Sequence, residues 1–197
     1  MSGSDDYSVR IWNAFTGKID HVLEGDSRRV SFVSFSPDGT HMVSCSKDKL
    51  ILIWNVVTGE IERIQKSHLY WVSSAAFSPD GHHVVSGSAD HSVLIWNTTT
   101  GEVECVLEGH SGTVHCIAFS PDGYRIVSGS FDTSVRIWTL ATGELKYQPE
   151  GRTDWVSSIA FSANGTRVVS SANDKSLWIW NVIIVESTRL EYKTVLL

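Results

Sequence analysis

Two sets of residues have the types found in a hydrolytic triad, each with one His, one Ser and one Asp. The sets are His110 with Ser128 and Asp132, and His68 with Ser86 and Asp90. In triad chemistry the serine hydroxyl attacks a substrate, the imidazole takes the hydroxyl proton, and the carboxylate orients the imidazole. Hydrolysis is therefore the first chemistry to weigh for these residues.

The two sets belong to a repeat that runs along the chain. Five of the eight tryptophans follow one another at steps of 42 residues, at Trp12, Trp54, Trp96, Trp138 and Trp180. Residues 58–99 and 100–141 are identical at 21 of 42 positions. The Ser and the Asp recur in all five units, whereas a catalytic group is normally needed only once. A structural role within each unit is therefore favoured over catalysis.

Each unit has the pattern of short strands separated by turns. Apolar residues alternate with polar ones in segments of five to seven residues, and turns such as Ser-Pro-Asp-Gly, Ala-Asp-His and Thr-Thr-Gly separate the segments. In one unit the predicted strands are 71–77, 83–88, 92–97 and 102–107. Glycine supplies the positive φ that such turns need. Four strands per unit predict one β-sheet per repeat, with no helix.

The combined motifs of a unit resemble the WD repeat of the β-propeller family. They are Gly109-His110, Ser-Pro-Asp-Gly at 120–123, Ser128-Gly129-Ser130, Asp132 and Ile137-Trp138. The resemblance covers residues 1–181, although Asn or Thr replaces the Asp that follows the Trp in the family. It implies an all-β, incomplete propeller of about four full four-stranded antiparallel blades and a partial first blade. The identity between units is also similar to that of repeat arrays in fungal and bacterial signalling proteins.

The predicted blades follow the 42-residue period. They are a partial first blade at 1–24, complete units at 25–66, 67–108 and 109–150, a fifth at 151–181, and a divergent tail at 182–197 that can form strand. Seven blades are usual in the family, and this chain has fewer. Three explanations stay open: a piece of a longer array, an imperfect gene model, or closure by assembly with another copy.

The resemblance implies a hydrogen-bonded tetrad inside each blade. The Trp138 indole donates to Ser128, Ser128 to His110, and His110 to Asp132, and Trp96, Ser86, His68 and Asp90 form the second set. Such a network stiffens a blade and sets its strand register. The His position holds Asp26 in one unit and Arg152 in another. Asp26 faces Asp48 without an obvious donor, so this blade is predicted to be the weaker one.

Information about a ligand must lie where the copies differ. In propellers that this chain resembles, three such positions per blade lie around one end of the central channel and commonly contact partners: the residue before the innermost strand, the residue two further on, and the residue before the tetrad Asp. We call this set the rim: Arg29, Lys47, Trp71, Thr113, His115, Phe131, Trp155 and Asn173. The aromatic residues are the favoured anchors, because Trp and Arg dominate interface hot spots. The competing interpretations are packing of Trp71 and Trp155 against a neighbouring blade, and ordinary solvated charges at Arg29 and Lys47.

Composition narrows the class of function. A net charge of −6, with 16 Lys and Arg against 22 Asp and Glu, disfavours nucleic acid as a partner. The three cysteines show no metal-binding spacing, so neither a metal nor a cofactor is expected. No apolar run is long enough to cross a membrane, and without a secretory signal the expected location is intracellular, cytoplasmic or nuclear.

The resulting hypothesis is a non-catalytic scaffold for a protein or peptide partner. The alternative is recognition of a small molecule or carbohydrate by rim tryptophans, and open blade edges also favour self-association.

Overall fold

The computed structural model describes residues 1–148 and 153–182, and these residues form five antiparallel sheets. The first sheet contains β1 (Ser2–Gly3), β2 (Ser8–Trp12) and β3 (Ile19–Glu24). The second contains β4 (Val30–Phe35), β5 (His41–Ser46), β6 (Ile51–Asn55) and β7 (Ile61–Gln65). The third contains β8 (Val72–Phe77), β9 (His83–Ser88), β10 (Val93–Asn97) and β11 (Val103–Leu107). The fourth contains β12 (Val114–Phe119), β13 (Arg125–Ser130), β14 (Val135–Thr139) and β15 (Leu145–Tyr147). The fifth contains β16 (Val156–Phe161), β17 (Arg167–Ala172) and β18 (Leu177–Asn181).

The all-β prediction is confirmed, and consecutive strands pair within each sheet. We call the sheets blades one to five. Blades two to four have four strands each, whereas blades one and five have three among the described residues. Of the predicted tail at 182–197 only Val182 is described; residues 183–197 and the tetrad position at Arg152 lie outside the described residues. Within them, no helix is long and apolar enough to cross a membrane.

The core lies between successive blades. The face of a blade that carries the tetrad Trp packs against the opposite face of the blade before it, as when Trp96 packs against Val43 and Ile53. The Trp residues of blades two to five are therefore only 1–2% exposed. Trp12 of blade one is 43% exposed, because its face has no preceding blade among residues 1–148 and 153–182.

Close packing explains a small residue on the second strand of most blades. A Cβ added to Gly87 would lie 2.6 Å from Val114 of the next blade, and one added to Gly129 would lie 2.5 Å from Val156. Such distances are too short for any substitution without a shift of the neighbouring strand. Cys45 occupies the equivalent position in blade two and is fully buried. This packing holds the innermost strand of a blade tightly against the blade before it. It thereby fixes the position of the rim residues next to that strand.

Candidate interaction surface and the tetrads that support it

The tetrad side chains of blades three and four are within hydrogen-bond distance of one another. Trp96 Nε1 lies 2.8 Å from Ser86 Oγ, which lies 2.8 Å from His68 Nε2. His68 Nδ1 lies 2.9 Å from Asp90 Oδ2. The indole only donates and the carboxylate only accepts, so the bonds run from Trp through Ser and His to Asp.

Blade four repeats this geometry almost to the tenth of an ångström. Trp138 Nε1 lies 2.8 Å from Ser128 Oγ, Ser128 Oγ 2.8 Å from His110 Nε2, and His110 Nδ1 2.8 Å from Asp132 Oδ2. Two copies of one chemical arrangement in adjacent units are what a structural network requires, and a single active site would not need the second.

The tetrads are also placed where a substrate cannot reach them. The side chains of His68 and His110 are fully buried, and so are Ser86 and Ser128. Burial raises the pKa of Asp132, but hydrogen bonds from His110 and Ser134 outweigh that effect and hold the pKa well below its usual range. The carboxylate therefore stays charged at neutral pH and keeps its acceptor role. The tetrad side chains are hydrogen-bonded to one another and enclosed, so they stabilise the blade and do not contact a ligand.

Blade two has an imperfect tetrad. Trp54 donates to Ser44 at 2.9 Å, and Ser44 donates to Asp26 at 3.0 Å. Asp26 is buried, and its Oδ1 has no hydrogen-bond partner among the described residues. Burial raises the pKa of Asp26 to about 6, and the nearby charge of Asp48 acts in the same direction. Each carboxylate has a serine donor that the sequence pattern did not predict: Ser44 donates to Asp26, and Ser27 donates to Asp48.

The outer blades retain parts of the network. In blade one Trp12 donates to Ser2 at 3.0 Å, but both side chains are exposed. In blade five Trp180 donates to Ser170 at 2.8 Å, and Thr153 donates to Asp174 at 3.3 Å. The network therefore extends through the array and is best enclosed in the central blades.

A repeated backbone contact brings the two variable positions of each blade together. The residue before the tetrad Asp donates its N–H to the carbonyl of the residue before the innermost strand. These pairs are Lys47 to Arg29 at 3.0 Å, Ala89 to Trp71 at 3.0 Å, Phe131 to Thr113 at 2.9 Å and Asn173 to Trp155 at 3.0 Å. The scaffold thus holds two variable side chains side by side at the same end of blades two to five.

A β-bulge turns a third position of blades two to five toward this end. The pairing of the innermost strand slips by one residue at Ser31, Ser73, His115 and Ser157. A bulge leaves the extra residue out of the ladder and re-aims its side chain. His115, one of the rim residues, therefore owes its orientation to a ladder irregularity.

Three aromatic rim residues from two blades stack in a row. His115 and Phe131 have ring centroids 5.1 Å apart, and Phe131 and Trp155 are stacked with centroids 4.7 Å apart. Trp155 is nevertheless 51% exposed. Partial burial lowers the pKa of His115, which favours the neutral ring at neutral pH. Packing on a neighbouring blade and exposure to solvent, the two interpretations of Trp155, thus coexist.

The remaining rim residues surround a concave region beside Trp71. Lys47 Nζ lies 5.9 Å from the Trp71 ring centroid, and Arg29 forms an exposed ion pair with Asp5 at 2.8 Å. Asn173 is exposed beside Trp155. A cavity of about 270 Å³, which we call the Trp71 groove, is lined by Arg29, Ser31, Lys47, Trp71, Ser73, Thr113, His115 and Phe131. The structure thus brings six of the eight rim residues to one groove and places Trp155 and Asn173 beyond Phe131.

Sequence comparison of the repeats missed two neighbours of Trp71. Leu69 and Tyr70 are 72% and 56% exposed, and Lys49 Nζ lies 5.6 Å from the Tyr70 ring centroid. The sequence contains an indication of this difference. The loops equivalent to Leu69-Tyr70-Trp71 are Ser27-Arg28-Arg29 and Ser111-Gly112-Thr113, which have no large apolar residue. Three consecutive large apolar residues in an exposed loop form a patch that needs an explanation.

Comparison with known proteins agrees with the geometry of the blades. The profile of the WD40 family, described as WD domain, G-beta repeat, matches residues 17–55, 59–97, 101–139 and 143–181. The chain is also similar to Lissencephaly-1 homolog 1 of Paramecium tetraurelia, with 45% identity over 49 residues. That match covers 25% of this chain and only 12% of the relative. Four matched repeats account for most of the sequence, and the chain belongs to the WD40 repeat family.

Proposed function

We propose that this protein is a non-catalytic interaction scaffold whose rim binds a peptide or protein partner. One observation carries the proposal: the positions at which the copies differ come together at one end of the blades, around the Trp71 groove. Trp71 and Arg29 are about half-exposed, and Trp and Arg are among the residue types that supply most binding energy at protein interfaces. The expected location is intracellular, cytoplasmic or nuclear.

The absence of catalysis is part of the same proposal. The residues with triad types are buried within the blades, where a bound substrate has no access to the serine hydroxyls. No group of His, Cys, Asp or Glu within residues 1–148 and 153–182 has the geometry of a metal site. Rigid support of a surface is the role that these networks suit.

Peptide display on the purified chain tests the proposed function. We expect enrichment of peptides that bind the wild type and lose about tenfold or more in affinity on Trp71→Ala or Phe131→Ala, since each change removes an aromatic anchor. Tyr124→Ala is the matched control, because Tyr124 is 73% exposed next to the Ser-Pro-Asp-Gly turn at the other end of the strands. Equal loss in the control, or no enrichment over an unrelated protein, would contradict the proposal.

Carbohydrate recognition by Trp71 and Trp155 has weaker support. Lys47 lies over the Trp71 ring and Phe131 covers one face of Trp155, which leaves each indole fewer free faces for a sugar ring. A glycan array distinguishes the two functions, because binding that Trp71→Ala abolishes would favour the sugar.

Self-association through the open blade faces is a second proposed property. Trp12 is 43% exposed on the blade-one face whose equivalents pack against a preceding blade. The complementary face of blade five lines a shallow cavity of about 140 Å³ with Val169, Ser171 and Leu177. Between successive blades, a face like that of blade one packs against a face like that of blade five. The two open faces can therefore pack against each other when two copies meet.

Light scattering during size-exclusion chromatography tests this association. We expect the wild type to exceed its chain mass of 21.8 kDa in a concentration-dependent manner, and Trp12→Arg to shift the population toward that mass. Val57→Arg adds the same charge at a turn residue that is 78% exposed and should leave the wild-type behaviour intact. A wild type that stays monomeric at all concentrations would contradict the proposal.

A further inference from the structure

We propose that the Trp71 groove selects acidic peptide segments that carry a bulky apolar side chain. This inference rests on the proposed function and specifies the chemistry of its partner. It draws on three independent features of the groove: its charge, its apolar wall and a buried hydroxyl that lacks a partner.

The charge of the groove is opposite to that of the chain. The protein has a net charge of −6, yet the described residues that line the groove include Arg29 and Lys47 and no carboxylate. Lys49, over the Tyr70 ring, adds a third cation beside it. A local cationic concavity on an acidic protein steers and holds anionic groups.

The ion pair of Arg29 shows how a carboxylate approaches this edge. Asp5 Oδ1 lies 2.8 Å from Arg29 Nε, and both side chains are more than half exposed. Exposed pairs of this kind contribute little to stability. A ligand carboxylate held by additional contacts can therefore replace Asp5 at the guanidinium, while Lys47 stays available over the Trp71 ring.

The apolar wall explains why charge alone is not enough. Leu69, Tyr70 and Trp71 are 72%, 56% and 42% exposed, and Trp71 continues this patch into the groove. Burial of a large ligand side chain against an indole provides more free energy than a rim ion pair. Selectivity for acidic segments then comes from the cations, and affinity from the apolar contact.

Ser73 supplies the third feature. Its hydroxyl is buried at the bulge of β8, lines the groove, and has no hydrogen-bond partner in the part of the chain that the structure describes. A buried polar group without a partner is costly, and a ligand that provides one removes the cost. A peptide main chain or a carboxylate offers the acceptor that this hydroxyl lacks.

A concave site favours a peptide over a membrane surface. The groove of about 270 Å³ has walls from Trp71 on one side and His115 and Phe131 on the other, so it can enclose a single side chain. A bilayer surface is flat on this scale and would engage Leu69 and Tyr70 without reaching Ser73. We therefore commit to the peptide and treat anionic vesicles as an arm of the test.

Fluorescence polarisation with three matched peptides tests the inference on the full chain. The probe is a labelled short peptide in which Glu alternates with Leu and Phe, compared with a version that has Lys for Glu and one that has Ser for Leu and Phe. We expect the acidic apolar probe to bind about tenfold or more tighter than either comparison, with an affinity that falls as salt rises.

Variants assign the binding to the groove. Lys47→Glu should weaken binding of the acidic probe by about tenfold or more, and Trp71→Ala by a similar factor. Lys18→Glu makes the same charge change at an exposed turn residue outside the groove and should leave binding unchanged. Tyr124→Ala serves the same purpose for the aromatic change.

The outcomes separate the inference from the proposed function. If the Lys version binds as tightly and Trp71→Ala weakens it, the groove binds peptides but the acidic preference is wrong. If peptide display selects rim-dependent ligands that are not acidic, the inference falls and the proposed function stands. If phosphatidylserine vesicles, but not the acidic probe, bind in a Lys47-dependent manner, a membrane surface replaces the peptide and the inference is overturned.

Discussion

Asp26→His is expected to raise the melting temperature of this protein at neutral pH by roughly 6 to 12 °C, which corresponds to about 3 kcal/mol for a domain of this size. The change places in blade two the residue that completes the tetrads of blades three and four. It removes a buried carboxylate that stands near Asp48, and it supplies a donor to that second carboxylate.

The local backbone already has the geometry that a histidine needs. The main-chain N–H that follows the His position lies 2.8 Å from Asp90 Oδ2 in blade three, and the equivalent N–H of Ser27 lies 2.8 Å from Asp48 Oδ2. The ring should therefore reach Ser44 and Asp48 without moving the loop. The buried Asp26 Oδ1, which has no partner among the described residues, disappears with the substitution.

The pH dependence identifies the cause. The folded pKa of Asp26 is raised to about 6 from 3.8, so its destabilising effect is absent below about pH 4 and complete above about pH 6. Asp26→Asn removes the ionisation alone, and its advantage over wild type should therefore grow between about pH 4 and pH 7.

Thermal unfolding across this range, followed by tryptophan fluorescence, is the measurement. Asp20→His, an exposed change on β3 with the same charge difference, is the control and should have little effect. A melting temperature of Asp26→His at or below wild type, or an Asp26→Asn advantage that does not vary with pH, would argue against this account.

The reverse substitution, His110→Asp, is expected to destabilise the protein by about 3 to 5 kcal/mol at neutral pH, since it breaks a buried and hydrogen-bonded pair. It recreates in blade four the defect of blade two. Asp132 loses the donor that helps to hold its pKa well below its usual range, and a second carboxylate enters the same enclosed space. The Ser128 hydroxyl also loses the imidazole as its acceptor.

The deficit should be larger at pH 7 than at acidic pH. A carboxylate with a lowered folded pKa contributes stability above its unfolded value of about 4 and loses it as the pH falls. The wild type therefore loses more of its advantage on acidification than the variant does. His91→Asp makes the same replacement at an exposed turn residue and is the control. Equal melting temperatures for wild type and His110→Asp would show that the tetrad does not stabilise its blade.

Repetition made much of the fold predictable. A 42-residue period in Trp, Asp and Ser, together with Gly turns, predicted the third blade to within a residue or two of each strand end. The reason is that strands and turns depend on the alternation of apolar and polar residues and on turn residue types, which are local features. Each copy repeats the same local sequence pattern. The residue types of the tetrad also follow from the repeat, because a group that recurs in each unit serves that unit.

The candidate interaction surface could be predicted only in part. The positions at which copies differ were visible in the sequence, and six of the eight rim residues line one groove. Leu69 and Tyr70 were not predicted, because they lie in the loop before Trp71, where strand alternation does not indicate which side chains are exposed. The orientation of His115 was hidden because a bulge, not the strand alternation, decides where its side chain points.

The repeat, the strands, the turns and the residues available for each tetrad could be predicted from sequence, because they depend on local propensity and on donor and acceptor types. Which side chains share a surface depends instead on how the blades pack. The stack of His115, Phe131 and Trp155, the lysine over Trp71, the partnerless Ser73 hydroxyl and the raised pKa of Asp26 all join residues that are distant in the sequence or depend on burial. Packing between blades sets those distances and that burial, and no local pattern encodes it.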